Sequence, residues 1–378
     1  MRLSYLSWLF AVLAQGQDPL LWGSLEPGPY PVGFQSSFAF DGSRDYDGSG
    51  ARPILLEVWF PALKTGEAPI HYARYLRVPD VKAHPWFRGR LEAFIRDVLS
   101  DGLFHKKTEA ALNKVERTAF DRLLATASYA HIDATPAPGS FPVVLYHSGA
   151  GGSFEENSVL FEYLASHGYV VVSSAFQSVF PKFIGNNIGG IERSGPDLDF
   201  IAQHMRQWPN ADSANPAAIG HSAGAQSLLQ WIGSLQCPAR AFVSLDTTLE
   251  YTAENFKGHK EVREAMRKLT PPRIPVLLFA RALPRPRFST FDRYLRDAPR
   301  YEAEVAGVRH DDFLTHGYLG RSLMDSPNSG KERRSYEEVC RTIRRFLDAS
   351  LKGDTQAARA LEQNVPSSPV SIRYRPAN

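Results

Sequence analysis

The chain has 378 residues, 43% of them hydrophobic and 22% charged, with a formal net charge of +3. That is enough apolar sequence for one large α/β domain without a second core, and so balanced a charge leaves no electrostatic footprint for a nucleic-acid partner. The two cysteines, Cys237 and Cys340, are compatible with an oxidising compartment, but neither sits at zinc-site spacing; buried free thiols and no structural metal are expected.

Met1 and Arg2 precede an apolar run from Leu6 to Leu13 and small residues at Ala14 and Gly16, the pattern of a secretory signal peptide over residues 1–16. Cleavage after Ala14 or Gly16 and a secreted or periplasmic location follow as expectations, ahead of a frayed cytosolic amino terminus. A membrane anchor needs roughly 20 apolar residues, and Gln15, Gln17 and Asp18 interrupt this run first.

Residues 26–365 are expected to form the folded domain. Phe34 to Phe40, set among Gly, Pro, Ser and Asp, reads as an edge strand, and Ile54 to Phe60, stopped by Pro61, as a firmer one. Residues 66–138 have helical character, with Leu91, Phe94, Ile95 and Leu99 at helical spacing, and are treated as an insertion or lid. Within it Arg74, Arg77, Arg88 and Arg90 lie near Trp86 and Phe87. That mixture suits a lipid surface or phosphate head group, although a solvated helical face with snorkelling side chains is preferred.

From Phe141 the pattern alternates. Strands are expected at Val143 to Tyr146, Tyr169 to Ser173, Ala217 to Ile219, Ala241 to Leu245, Ile274 to Phe279 and near 301–308, with helices at 154–167, 197–206, 223–234, 255–268, 289–296 and 336–351. Short apolar strands between amphipathic helices mean a mainly parallel sheet covered on both faces. Ser153 with Glu156, and Ser335 with Glu338, read as capping boxes, and Pro196 suits a first helical turn. Residues 366–378, opening with Pro366, Ser367, Ser368 and Pro369, read as a loosely ordered tail.

Gly220-His221-Ser222-Ala223-Gly224 matches G-x-S-x-G between a short strand and a helix, the setting of a nucleophile elbow. A serine hydroxyl is a weak nucleophile and needs an imidazole to take its proton. His310, in the loop after the last parallel strand, is the expected base; His316 is its competitor, and His259 falls on a surface helix. His221, inside the motif, reads as packing. The strand 274–279 ends in Ala280-Arg281-Ala282, without a carboxylate, whereas Ala241 to Leu245 ends in Asp246 at the same sheet edge as the elbow. Asp246 is therefore the expected acid, with Asp292 and Asp297 as alternatives and Asp311 expected to point elsewhere. Oxyanion donors are expected from the amide of Ala223 and from the loop His147-Ser148-Gly149-Ala150-Gly151-Gly152, with Ala150 first and Gly149 next. No Lys-Ser or Lys-Thr follows those glycines, which disfavours nucleotide binding.

On these motifs, the stretch from Phe141 to Phe313 resembles the platelet-activating-factor acetylhydrolase family and related dienelactone-hydrolase-like esterases of the α/β-hydrolase fold. The match rests on the Gly-rich loop with Ala150, on Ser222, on Asp246 at the end of the strand after the nucleophile helix, and on His310 in a segment ending at Phe313. Two positions depart: His147-Ser148-Gly149 stands where relatives often have Ser-His-Gly, and Ala225 replaces a frequent glycine. Ser222 argues against the cysteine chemistry of dienelactone hydrolases proper. The resemblance implies hydrolysis of a carboxylic ester, such as a phospholipid with a short or oxidised acyl chain, with transient contact to a membrane surface and no metal or organic cofactor. The alternatives are an amidase or peptidase with the same three residues, and a catalytically silent binding protein.

Overall fold

The computed structural model describes residues 19–45, 48, 50–63, 67–82, 85–176, 194–234, 237–247, 251, 270–283, 288, 294–363 and 368–377. The signal peptide expected over residues 1–16 and the helix at 255–268, with His259, lie outside them, as does the helix at 289–296 apart from its last three positions.

Among the described residues the central sheet has ten strands, in the order β10 (Val370–Arg375), β9 (Arg300–Val305), β8 (Val276–Arg281), β7 (Ala241–Leu245), β6 (Ala211–His221), β4 (Phe141–His147), β5 (Val170–Ser173), β2 (Ala51–Pro61), β1 (Val32–Asp45) and β3 (Ala130–Ile132). Its middle is parallel: β4, β5, β6, β7, β8 and β9. β4 explains why such strands read as unbroken apolar runs: Val143 and Leu145 pack into one core while Val144 and Tyr146 pack into the other, so both faces are covered. One layer holds α4 (Ser158–Ser166), α7 (Thr315–Leu323) and α8 (Ser329–Leu351); the other holds α5 (Gly195–His204), with Pro196 in its first turn, and α6 (Ala223–Ile232). On α8 the stripe Val339, Ile343, Phe346 and Leu347 is buried against the sheet, as its spacing predicts.

Several expectations are corrected. β1 (Val32–Asp45) is not the edge of the sheet: it pairs antiparallel with β2 (Ala51–Pro61) and parallel with β3 (Ala130–Ile132), a three-residue strand that takes the edge. The end of the chain is no loose tail, because β10 (Val370–Arg375) pairs antiparallel with β9 and closes the opposite edge. α8 begins before Ser335, whose hydroxyl lies inside the helix and donates to the Ala306 carbonyl at 3.4 Å instead of capping. Folded structure also precedes residue 26: α1 (Pro19–Trp22) places Leu21 and Trp22 in the core.

The segment between β2 and β4 carries α2 (Pro85–Phe104), α3 (Lys114–Ala125) and short 3₁₀ turns. Leu91, Ile95 and Leu99 of α2 are fully buried, so this layer is anchored to the main core. α3 starts with a capping box between Asn113 and Glu116. The basic side chains are largely matched within the segment: Arg77 and Arg88 pair with Glu92 at 3.3 and 2.9 Å, Arg88 with Asp80 at 3.1 Å, and Arg74 lies over the Phe34 ring. Among the described residues no helix is long and apolar enough to cross a membrane.

Candidate active site

Ser222 occupies the sharp turn between β6 and α6 with φ 51° and ψ −120°, a conformation that costs a non-glycine residue of order 1–3 kcal/mol and is held only by its surroundings. The surroundings are tight. A Cβ on Gly220 would lie 2.5 Å from the Ala225 amide nitrogen, and one on Gly224 would lie 2.3 Å from the carbonyl oxygens of His147 and Ser148. The two small residues therefore let the strand, the helix and the end of β4 close on one another. The Ser222 amide donates to the Leu245 carbonyl at 3.0 Å, which fixes the elbow beside the end of β7.

The next residue along β7 is Asp246, buried, with φ 49°. His310 follows β9 in a short 3₁₀ turn, His310–Phe313. Its Nδ1 lies 2.7 Å from Asp246 Oδ2, so Nδ1 donates and Nε2 is left as the acceptor. Ser222 and His310 line one cavity of about 160 Å³. α2 contributes Val98, Asp101 and Gly102 to that cavity, with His105 just beyond its end; the glycine loop contributes Gly149 to Gly152, and the His310 segment adds Asp311 and Leu314.

The alternatives do not converge there in the same way. His316 lines the cavity, but it is buried with Nε2 3.5 Å from Glu155 Oε1. Asp297 pairs with Arg296 at 3.6 Å, Asp311 lines the cavity without contacting the imidazole by any described bond, and Asp292 lies outside the described residues.

Asp246 is held by partners that the sequence does not flag. Arg281 Nε lies 2.9 Å from Asp246 Oδ2, the Arg281 amide donates to Oδ1 at 3.2 Å, and the Tyr251 hydroxyl donates to Oδ1. Arg281 thus stands on β8 where a carboxylate is sought, and it braces the carboxylate of the neighbouring strand. Tyr251 in turn accepts from the Arg281 amide at 2.9 Å. Burial raises the Tyr251 hydroxyl pKa, and the neighbouring Asp246 adds to that, so Tyr251 remains a donor.

With the order of strands, the elbow and both partner loops in view, the architecture is decided. This is an α/β-hydrolase fold. The hydrolase fold is also the outcome of structural comparison: a ferulic acid esterase from Streptomyces cinnamoneus superposes with a TM-score of 0.62 over 91% of this chain and 96% of that one, at 19% identity. No protein-family model and no curated protein matches the sequence. In hydrolase folds the helix after the elbow presents free amides, and Ala223 is the first residue of α6. Ala150 lines the cavity, whereas the Gly149 amide is turned to Glu156 Oε1 at 3.3 Å.

Two histidines are placed away from the hydroxyl. His147 stacks on Phe176 at 3.9 Å and bonds through its two ring nitrogens to Ser148 O and Ser194 Oγ, both at 2.8 Å. Burial pulls its pKa down to about 4, so it is neutral. His221 donates from Nε2 to the His310 carbonyl at 3.2 Å, its ring 4.5 Å from the His310 ring. Burial first, and the adjacent His310 second, hold its pKa well below the usual value. It acts as a strut under the His310 segment, a role that its position in the motif does not disclose.

Proposed function

We propose that this protein is a serine carboxyl-ester hydrolase that works through an acyl-enzyme, with Ser222 as nucleophile, His310 as general base and Asp246 as the orienting acid. The observation that carries this reading is the 2.7 Å bond from His310 to Asp246 made beside a strained Ser222 on the same cavity. Such an arrangement suits a hydroxyl that must lose a proton during attack on a carbonyl.

Ser222 Oγ adds to the ester carbonyl carbon while His310 Nε2 takes its proton. The negative oxygen that forms accepts from the amides of Ala223 and Ala150, at the amino end of α6, where the helix dipole favours negative charge. Collapse breaks the bond to the alcohol oxygen, which leaves with the proton returned by His310. Water then attacks the acyl-serine, His310 takes the proton from it, and the acid is released with Ser222 restored. Asp246 holds the imidazole in place and stabilises the imidazolium.

The cavity is small, and Val98 and Leu314 are the large apolar side chains of its described lining, which supports a short or polar acyl group over a long alkyl chain. A phospholipid with a short or oxidised acyl chain of the platelet-activating-factor type is the substrate class we favour. The feruloyl ester named for the structural neighbour supplies a bulkier comparison. α2 roofs this cavity, which supports a lid role for the segment 66–138.

The test is covalent capture by a fluorophosphonate with peptide mapping, then hydrolysis of matched ester and amide substrates. Label on Ser222, faster turnover of esters than amides, and loss of both label and turnover in Ser222→Ala are the expected results. Label on another serine, or none, ends the proposal; faster amide turnover makes the protein an amidase.

A further inference from the structure

Behind the glycine loop lies a carboxyl group that the reaction as written does not use. Glu156 is buried just after the loop, and its side chain folds back under it. Oε1 accepts from the Tyr146 hydroxyl at 2.7 Å and from the Gly149 amide at 3.3 Å, and the carboxyl group also accepts from the Ser153 amide. His221 Nδ1 stands 4.0 Å from Oε1, and His221 supports the His310 carbonyl from its other nitrogen. One side chain therefore ties Tyr146 of β4 to the Gly149 and Ser153 amides at the two ends of the loop, with His221 packed beside it.

The loop has few other constraints of its own, the Gly152 amide to the Gly149 carbonyl at 3.0 Å being one. Successive amides in a tight turn point in different directions. The Gly149 amide is fixed toward Glu156, and the next residue, Ala150, lines the cavity. We infer that Glu156 is a positioning residue: it holds the loop 147–153 so that the Ala150 amide is ready to receive the oxyanion. This inference rests on the reading of Ser222 as an ester-cleaving nucleophile.

Burial is the main influence on Glu156 and pushes its pKa up to about 8, so near neutral pH it is the uncharged acid. A glutamine of the same length and no charge keeps an acceptor oxygen for Gly149 and Tyr146. A leucine of similar volume keeps the packing and removes the acceptors. An aspartate keeps the carboxyl group and draws it away from the loop.

The experiment measures kcat, KM and Tm on one short ester for the full chain and for Glu156→Gln, Glu156→Leu and Glu156→Asp, with fluorophosphonate labelling of the wild type as the control. The expected result is a kcat within about threefold of wild type for the glutamine variant and a loss of roughly 100-fold in kcat for the leucine variant, the size seen when one oxyanion donor is removed. KM stays within about threefold, because ground-state binding does not use that amide. Glu156→Asp falls between them.

A folded Glu156→Leu with unchanged kcat overturns the inference, and so does a Glu156→Gln that loses as much as the leucine variant at unchanged Tm. If the leucine variant does not fold, the glutamine and aspartate variants decide: equal kcat for the two overturns it. A wild type that neither labels nor hydrolyses overturns the parent reading and this one together, whereas a labelled wild type indifferent to Glu156 overturns this one alone.

Discussion

Asp246 accepts from His310 Nδ1, from both the backbone and the guanidinium of Arg281, and from the Tyr251 hydroxyl. A carboxylate so surrounded has one orientation, and it passes that orientation to the imidazole. Asp246→Asn keeps the shape but offers an amide where the Nδ1 hydrogen needs an acceptor, which favours the wrong tautomer; kcat should fall by roughly 10³–10⁴-fold. Arg281→Ala removes one charged donor and leaves Tyr251 and the residue-281 amide in place. A milder loss of about tenfold in kcat is expected, with KM little changed, on the scale of one charge-assisted hydrogen bond, about 1.5–3 kcal/mol when fully lost. Steady-state kinetics on one ester check both. An Arg281→Ala variant as impaired as Asp246→Asn would mean that the guanidinium does more than brace.

These residues also mark where sequence reading stops. The candidates Ser222, His310 and Asp246 are legible because each belongs to a local pattern: an elbow between strand and helix, and two strand ends on one rim. Arg281 was visible only as a missing carboxylate, and Tyr251 not at all, since its role exists only through contact with another strand. In sequence Glu156 reads only as half of a capping box with Ser153. Its carboxyl group does reach the Ser153 amide, but Ser153 Oγ has no partner among the described residues and the helix itself starts at Ser158. Half of a capping box formed, and the other half of the residue went to the loop.

At the scale of elements, α4 joins the layers through a second buried acid. Glu162 accepts from Trp22 Nε1 at 2.7 Å, the Tyr75 hydroxyl at 2.5 Å and the Tyr129 amide at 3.1 Å, so it links α1, the insertion and the helix that covers the sheet. Burial pushes its pKa up to about 7, against the hydrogen bonds that favour its ionised form. The sign follows from linkage. In the unfolded chain this acid ionises near its usual value of 4.5, whereas the folded protein keeps the proton to about pH 7. Its contribution to stability is therefore full below about pH 4.5 and is lost as the pH rises through 7. Glu156 behaves alike up to about pH 8.

Glu162→Gln, which does not ionise, should flatten the decline of stability between pH 5 and 7 by an amount on the order of 3 kcal/mol. Tm measured against pH for both chains gives the comparison, and parallel curves would show that Glu162 does not titrate in that window. The same scale explains why edge strands are hard to read from sequence. β10 carries Arg373 and Arg375 on a short strand after a Pro-Ser stretch, which reads as tail; its order comes from pairing with β9 and from Arg375 reaching Glu302 at 3.5 Å. The central strands, buried on both faces, advertise themselves as apolar runs. Edge strands owe their existence to a neighbour.

The whole molecule closes around its amino-terminal segment. Trp22 is 2% exposed, packs on Tyr129 with ring centroids 4.7 Å apart and donates to Glu162, while the carbonyls of Leu20 and Leu21 accept from Arg333 and Tyr318. Nothing local marks Leu20 to Trp22 as core, because their partners, from Tyr129 to Arg333, lie outside any local window. Cleavage at the expected point, ahead of Pro19, would leave α1 and its core contacts whole. A chain beginning at Gln17 should keep the Tm of the full chain. One beginning at Gly23 loses the buried indole and strands Glu162, at a cost of about 3–5 kcal/mol for the aromatic side chain alone, and should unfold many degrees lower. Export from a secreting host followed by mass determination of the mature protein locates the processing point. A mature terminus at residue 23 or beyond, in a chain that stays folded, would show that α1 is leader after all and that the core does not need it.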